Sequence, residues 1–99
     1  MAPYPIHLRP QVEGEIVEAM SWYELRSPGL GSLFYRTFLG VLSILAESPE
    51  LYRKVRGDVR RVVFKRFPYA VFYVFDGADV VVLSCPHESR NPDLWPDRG

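Results

Sequence analysis

Apolar residues along this chain change their period at Pro49. Before it, Val12, Ile16, Ala19, Met20 and Tyr23 recur at three- and four-residue steps with Glu13, Glu15, Glu18 and Glu24 between them. That spacing predicts an amphipathic helix from Pro10 to Arg26. Pro10 suits its first turn, where a missing N–H costs no helical hydrogen bond. Ser27-Pro28-Gly29 breaks the helix, and Ser27 followed by Pro28 also reads as a cap and first helical residue of a second one. Leu30, Leu33, Phe34, Phe38, Val41, Leu42 and Leu45 give that second helix a wide apolar face, ended by Ser48-Pro49. So short a connection predicts an antiparallel helix hairpin.

After Pro49 the pattern is that of strands. Val59 to Phe67 and Ala70 to Phe75 are rich in Val and Phe, and Val80 to Leu83 is continuously apolar, all too short for helices. Asp76-Gly77-Ala78-Asp79 carries an Asp-Gly turn signal, so the last two strands form an antiparallel hairpin. Phe67-Pro68-Tyr69 turns the chain between the preceding pair. Ala70 to Phe75 is apolar at every position, as a central strand covered on both faces requires. Residues 4–9 predict a brief first strand, which Pro5 confines to a strand start or a sheet edge. From Pro86 to Gly99 three prolines and little apolar content predict an irregular tail, with Trp95 docking it on the body.

Composition sets the scale. The 99 residues are 47% hydrophobic and 14% aromatic, enough for a packed core in one domain and too few for two. Cys85 is the single cysteine and closes no disulfide within the chain, which fits a reducing compartment. No stretch approaches the roughly 18 uninterrupted apolar residues of a membrane span. The first ten residues lack a basic region followed by an apolar run of roughly 7–15 residues. The expectation is a cytoplasmic protein with no membrane partner, and no residue pattern indicates a metal, nucleotide or other cofactor.

Lys plus Arg and Asp plus Glu are 12 each, which argues against binding a polyanion through bulk charge. Split by segment, the balance looks different. Residues 1–52 carry three Arg and six Glu, net −3; residues 53–66 carry seven cations against Asp58, net +6; residues 67–99 carry two Arg and five acids, net −3. The seven are Arg53, Lys54, Arg56, Arg60, Arg61, Lys65 and Arg66. They form either an ordinary solvated edge or a surface for an acidic partner. Along the strand Arg61, Val63 and Lys65 share one face, and Arg60, Val62, Phe64 and Arg66 the other. Neither face is wholly polar, so one borders a groove or its arginines lay their stems over apolar neighbours.

The elements come in the order short strand, helix hairpin, three-strand meander, polar tail, and particular residues mark them. Trp22-Tyr23-Glu24 ends the first helix, Leu30-Gly31 and Phe34 open the second, and Pro49 closes it. Val59-Arg60-Arg61 starts a strand, and Arg66-Phe67-Pro68-Tyr69 leads into Val71-Phe72-Tyr73. His87-Glu88-Ser89-Arg90-Asn91-Pro92 with Trp95 follows the last strand. Over nearly the whole chain this resembles the RelE/ParE superfamily of type II toxin–antitoxin toxins, in particular its ParE-like, plasmid-stabilisation branch. The resemblance implies an α+β fold of one domain over residues 1–99, in which a short N-terminal strand and an antiparallel helix hairpin pack with an antiparallel sheet ending in a three-strand meander. It also implies a growth-arresting toxin, neutralised by a cognate antitoxin in a hetero-oligomeric complex. Members similar to RelE cut messenger RNA on the ribosome, whereas members similar to ParE inhibit DNA gyrase.

The shared fold leaves that choice to site residues. RNA cleavage needs a base for the ribose 2′-hydroxyl, cations on the pentavalent phosphate and an acid for the leaving oxygen. The resemblance puts Arg60 or Arg61 on the phosphate and His87 as base or acid, flanked by Glu88 and Arg90; alternatively His87 caps the strand end or holds the tail. Tyr69 and Tyr73 either stack on a base or belong to the core. Cys85 reads as a small core residue. The RNA-cutting members commonly end soon after the last strand and are strongly basic, whereas this chain continues through Asn91-Pro92-Asp93-Leu94-Trp95 and balances to zero. Three readings stand in order: a gyrase inhibitor of the ParE type, an endoribonuclease of the RelE type, and an inactive module that retains only antitoxin binding. For target or partner binding the candidates are Arg53, Lys54, Arg56, Lys65, Arg66, Tyr69, Glu88, Arg90 and Trp95.

Overall fold

The computed structural model describes residues 3–88, and the expectations for Arg90, Trp95 and the tail beyond Glu88 fall outside them. Strand β1 (Ile6–Leu8) leads into helix α1 (Pro10–Arg26), and helix α2 (Leu30–Glu47) follows. Then come β2 (Lys54–Arg56), β3 (Val59–Val63), β4 (Ala70–Phe75) and β5 (Val80–Ser84). The strands form one mixed sheet of order β1-β5-β4-β3-β2, with β1 parallel to β5 and the other pairs antiparallel. Two helices packed on a five-stranded sheet make an α+β architecture.

The limits of α1 and β4 fall where the residue pattern puts them. Three features differ. The meander has four strands, because Lys54-Val55-Arg56, exposed throughout and without apolar alternation, adds an edge strand through the Gly57 turn at φ 56°. The sheet is mixed, since the short β1 runs alongside β5 in the same direction. Strand β3 ends at Val63 rather than running to Phe67, and a tight loop returns the chain so that Phe64 N–H donates to Tyr69 O at 2.9 Å.

The start of α2 is also built differently. Ser27 makes no side-chain cap; Gly29 takes the left-handed conformation at φ 89° and the helix begins at Leu30. The Glu24 carboxylate, coming from α1, accepts the N–H groups of Gly29 and Gly31 at 3.0 Å each. A carboxylate at this position also meets the positive end of the helix dipole. Gly31 lets the helices close: a Cβ there would sit 2.5 Å from Met20 O.

Between helices and sheet lies the main core, including Val12, Ile16, Phe34, Phe38, Leu45, Val62, Val71, Tyr73 and Val82. Helix α2 is long and apolar enough to cross a membrane by length and composition, with mean hydropathy 1.3 over 18 residues. Here its apolar stripe of Phe34, Phe38, Val41 and Leu45 is spent on the sheet. A second cluster of Ala70, Phe72 and Leu83 is buried on the opposite face of the sheet, so β4 is covered on both sides.

Helix α1 also finishes the edge of β5. Strand β1 pairs with it as far as Val82. Beyond that point, Gln11 Nε2 donates to Leu83 O at 2.9 Å and Glu15 Oε1 accepts the Cys85 N–H at 2.8 Å. Two side chains one helical turn apart thus replace the strand pairing that β1 is too short to supply.

Candidate functional site: the basic edge and its groove

Three of the cations of residues 53–66 crowd the β2–β3 hairpin. Arg53, Lys54 and Arg56 are exposed, and Lys54 forms a 3.4 Å ion pair with Asp58 across the turn. Lys65 and Arg66 are exposed at the other end of β3, in the loop before β4. The basic run therefore forms a band along one edge of the sheet, since antiparallel pairing of β2 on β3 folds it back upon itself.

Arg60 does not belong to that exposed band. It shares a face with Val62 and points to the helix side of the sheet. Its Nη1 donates to Tyr52 O at 2.6 Å and to Glu50 O at 3.4 Å, holding the loop between α2 and β2. Arg61 lies on the other face, opposite Phe72 of the second cluster. His87 stands beyond β5, bridged to Tyr69 and half-buried, its ring edge-on to Tyr69 at 5.1 Å between centroids. Tyr69 in turn contacts Phe34 in the second turn of α2, at 4.9 Å.

These positions separate the three residues proposed for phosphate chemistry. Arg60 holds the loop after the C-terminal end of α2, while His87 reaches Phe34 near its N-terminal end through Tyr69. In the sheet, Arg60 pairs with Tyr73 and His87 bridges to Tyr69, four residues away along the chain, about 13 Å at strand rise. Arg61 is on the opposite face of the sheet from both. Phosphate chemistry needs its base, its acid and its cations within hydrogen-bond reach of one phosphate, and here the Arg60 guanidinium donates to loop carbonyls.

Tyr69 is 4% exposed, with Tyr23, Phe34, Phe64 and Phe67 packed around it, and Tyr73 is fully buried. Both are core residues, because the apolar faces of α1 and α2 close over their rings, and neither presents a face on which a base stacks. Burial pushes the Tyr73 hydroxyl up to about 12, against the opposing pull of the Arg60 charge. It stays protonated and donates to Pro49 O at 2.8 Å. Cys85 is 1% exposed, and burial, helped by the Glu15 charge, pushes its thiol up and away from the reactive thiolate. Glu88 is half-buried and its N–H donates to Pro68 O at 2.7 Å, pinning the chain after β5 to the loop before β4.

Sequence reasoning did not find the groove beside this edge. It has a volume of about 360 Å³ and lies between α2 and β3, with Thr37, Gly40 and Ile44 on one side and Val62, Val63 and Phe64 on the other. Lys65 and Arg66 are the charged residues of its lining. The available signals were Gly40 in mid-helix and the mixed polarity of both faces of β3.

No protein-family model matches the chain, and no curated protein matches it. Among solved structures, it is similar to a chain described as "Chromosomal ParDE TA system from P. aeruginosa", with a TM-score of 0.74 at 10% sequence identity. The match covers 85% of this chain and 95% of that one. At that identity the likeness speaks to the fold: the chain has the two-helix, five-strand architecture of that chain of a ParDE system.

Proposed function

We propose that this chain is the toxin of a type II toxin–antitoxin module, acting in the cytoplasm as an inhibitor of DNA gyrase through protein–protein contact and neutralised by a cognate antitoxin in a hetero-oligomeric complex. What carries the toxin reading is the shared architecture with a chain of a ParDE system over most of both chains. What favours inhibition over cleavage is the separation of Arg60, Arg61 and His87 to two faces of the sheet and two ends of α2. An inhibitor needs a surface, and the exposed Arg53, Lys54, Arg56, Lys65 and Arg66 offer one suited to an acidic or DNA-bound partner.

The second reading, a ribosome-dependent mRNA endoribonuclease, draws on the same cationic band, which suits a phosphate-rich target. The third, an inactive module that binds antitoxin only, predicts no growth arrest at all. One preparation assayed in parallel for gyrase supercoiling and for mRNA cleavage on translating ribosomes separates them. Loss of supercoiling with intact transcripts is the expected result. Truncated transcripts with normal supercoiling would sink the gyrase reading, and normal growth on induction without antitoxin would leave the third.

A further inference from the structure

The helices cover one face of the sheet. On the other face β4 presents Ala70, Phe72 and Val74, and β5 presents Val81 and Leu83. A sheet face open to water normally carries polar residues at alternate positions, and these strands carry apolar ones there. Ala70 and Phe72 are 1% exposed and Leu83 5%. Cross-strand neighbours alone do not bury a phenylalanine to that degree, because side chains stand out from the sheet. Among the described residues no helix or strand lies over this face. The burial is that of a single chain, so what covers the face belongs to the chain itself.

This burial has a direction. It is nearly complete at Ala70, Phe72 and Leu83 and only partial at Val74 and Val81, nearer the Asp76–Asp79 turn. Val63, opposite Ala70 at the end of β3, is 42% exposed. The cover therefore lies over β4 and β5, at the end where the chain leaves the sheet. There Ala70 N–H donates to Pro86 O at 3.1 Å and Glu88 N–H to Pro68 O at 2.7 Å, which fixes the point from which residue 89 departs. The other end of the chain is committed to the helix side, where Tyr4 packs edge-on against Phe75 and its N–H donates to Ala46 O at 2.8 Å.

We propose that residues 89–99 fold back as a strap over the outer face of β4 and β5, seating Leu94 and Trp95 on Phe72 and Leu83. These two are the large apolar side chains that the sequence carries beyond Glu88. Leu94 lies six residues past Glu88, a reach of about 20 Å in extended chain, while Ala70 to Val74 spans about 13 Å. Asn91-Pro92 supplies the turn between. Asp93 and Asp97 bracket the apolar pair, and Arg61 stands opposite Phe72 to meet a carboxylate; neither Arg61 nor Phe72 is without a partner. The strap makes the outer face part of the core, closes the surface around Arg61 to a phosphate backbone, and commits Trp95 to the fold rather than to a target. It goes beyond the toxin reading and stands whether or not that reading holds.

The test uses the full chain, and none of its readouts depends on toxicity. Trp22 and Trp95 are its two tryptophans, so Trp22→Phe leaves Trp95 as the fluorescent reporter. The expected emission is blue-shifted and shielded from acrylamide, with nuclear Overhauser contacts from the Trp95 indole to the Phe72 ring and the Leu83 methyl groups. Trp95→Ala is expected to lower the melting temperature by roughly 10 °C or more, as for other large side chains removed from a core, and Trp95→Phe to recover much of that loss. Emission and quenching of Trp95 like those of the urea-unfolded chain would overturn the strap, as would a melting temperature that Trp95→Ala leaves unchanged. Contacts from the indole to helix α2 instead of Phe72 and Leu83 would overturn its placement. Shielding that disappears on dilution, in step with dissociation of a dimer in sedimentation, would give the face to the tail of a second copy and overturn the proposal for the single chain.

Discussion

Arg60 and Tyr73 face each other across β3 and β4, and both reach past the sheet to the same loop, Arg60 to Tyr52 O at 2.6 Å and Tyr73 to Pro49 O at 2.8 Å. The pair clamps the segment that turns α2 into the edge strand β2. A residue suited by type to phosphate binding is thereby committed to backbone carbonyls.

Removing either partner should act on stability before activity. Tyr73→Phe loses one neutral hydrogen bond at a buried carbonyl and is expected to cost about 1–2 kcal/mol. Arg60→Ala loses a charge-assisted bond and is expected to cost about 1.5–3 kcal/mol. At about 4–8 °C per kcal/mol for a domain of this size, thermal denaturation resolves both. If Arg60→Ala abolished toxicity with an unchanged melting temperature, the clamp would not be its role.

Glu15 predicts a pH dependence with a definite sign. Burial raises its carboxyl above the ordinary value, more than the Cys85 N–H lowers it, and the Glu18 charge adds to the rise. A raised folded value means that the native chain binds the proton more tightly than the unfolded chain. Its contribution is therefore fully present below the unfolded value and declines as pH rises through the folded one. Glu15→Gln, which keeps an acceptor for Cys85 N–H, should flatten that decline. Glu15→Ala orphans the N–H and should cost about 1–3 kcal/mol across the range. Urea titrations from pH 4 to pH 8, compared across the three chains, would check this; an equal decline in Glu15→Gln would assign it to another group.

The helix hairpin should be intolerant at Gly31. A Cβ added there would be held 2.5 Å from Met20 O and would press on Glu24, whose carboxylate supplies the α2 cap. Gly31→Ala is expected to destabilise by about 1–3 kcal/mol through overpacking. Glu24→Ala should cost about 1 kcal/mol through the lost cap. Circular dichroism during urea unfolding would show both, with the double variant less than additive because the sites touch.

Gly40→Ala should behave in the opposite sense in the free chain. With open space for the methyl group, the substitution is expected to stabilise by roughly 0.5–1 kcal/mol through helix propensity. A loss of stability would mean that Gly40 answers to packing within the chain.

Under the gyrase reading, Arg61→Ala and His87→Ala each leave growth arrest in place. Reversing Arg53, Lys54 and Arg56 to Glu should weaken target inhibition and its salt dependence together. Arrest abolished by His87→Ala in a chain that still folds would reopen the cleavage reading.

The sequence alone determined whatever local chemistry dictates. The spacing of Val12, Ile16, Ala19 and Tyr23 behind Pro10 set the limits of α1, the continuous apolar run from Ala70 to Phe75 set β4 as a strand covered on both faces, and the basic character of residues 53–66 was legible by counting. Period two also separated Arg60 from Arg61, but alternation says that two neighbours point apart without saying which of them meets the helices. Only tertiary packing decided that, by placing Val62 in the main core and taking Arg60 with it. Lys54-Val55-Arg56 carries no apolar alternation, so β2 exists only because β3 lies beside it. The groove was beyond the sequence for the same reason. Gly40 and Val63 are 23 positions apart, and only the packing of α2 beside β3 brings them to one groove.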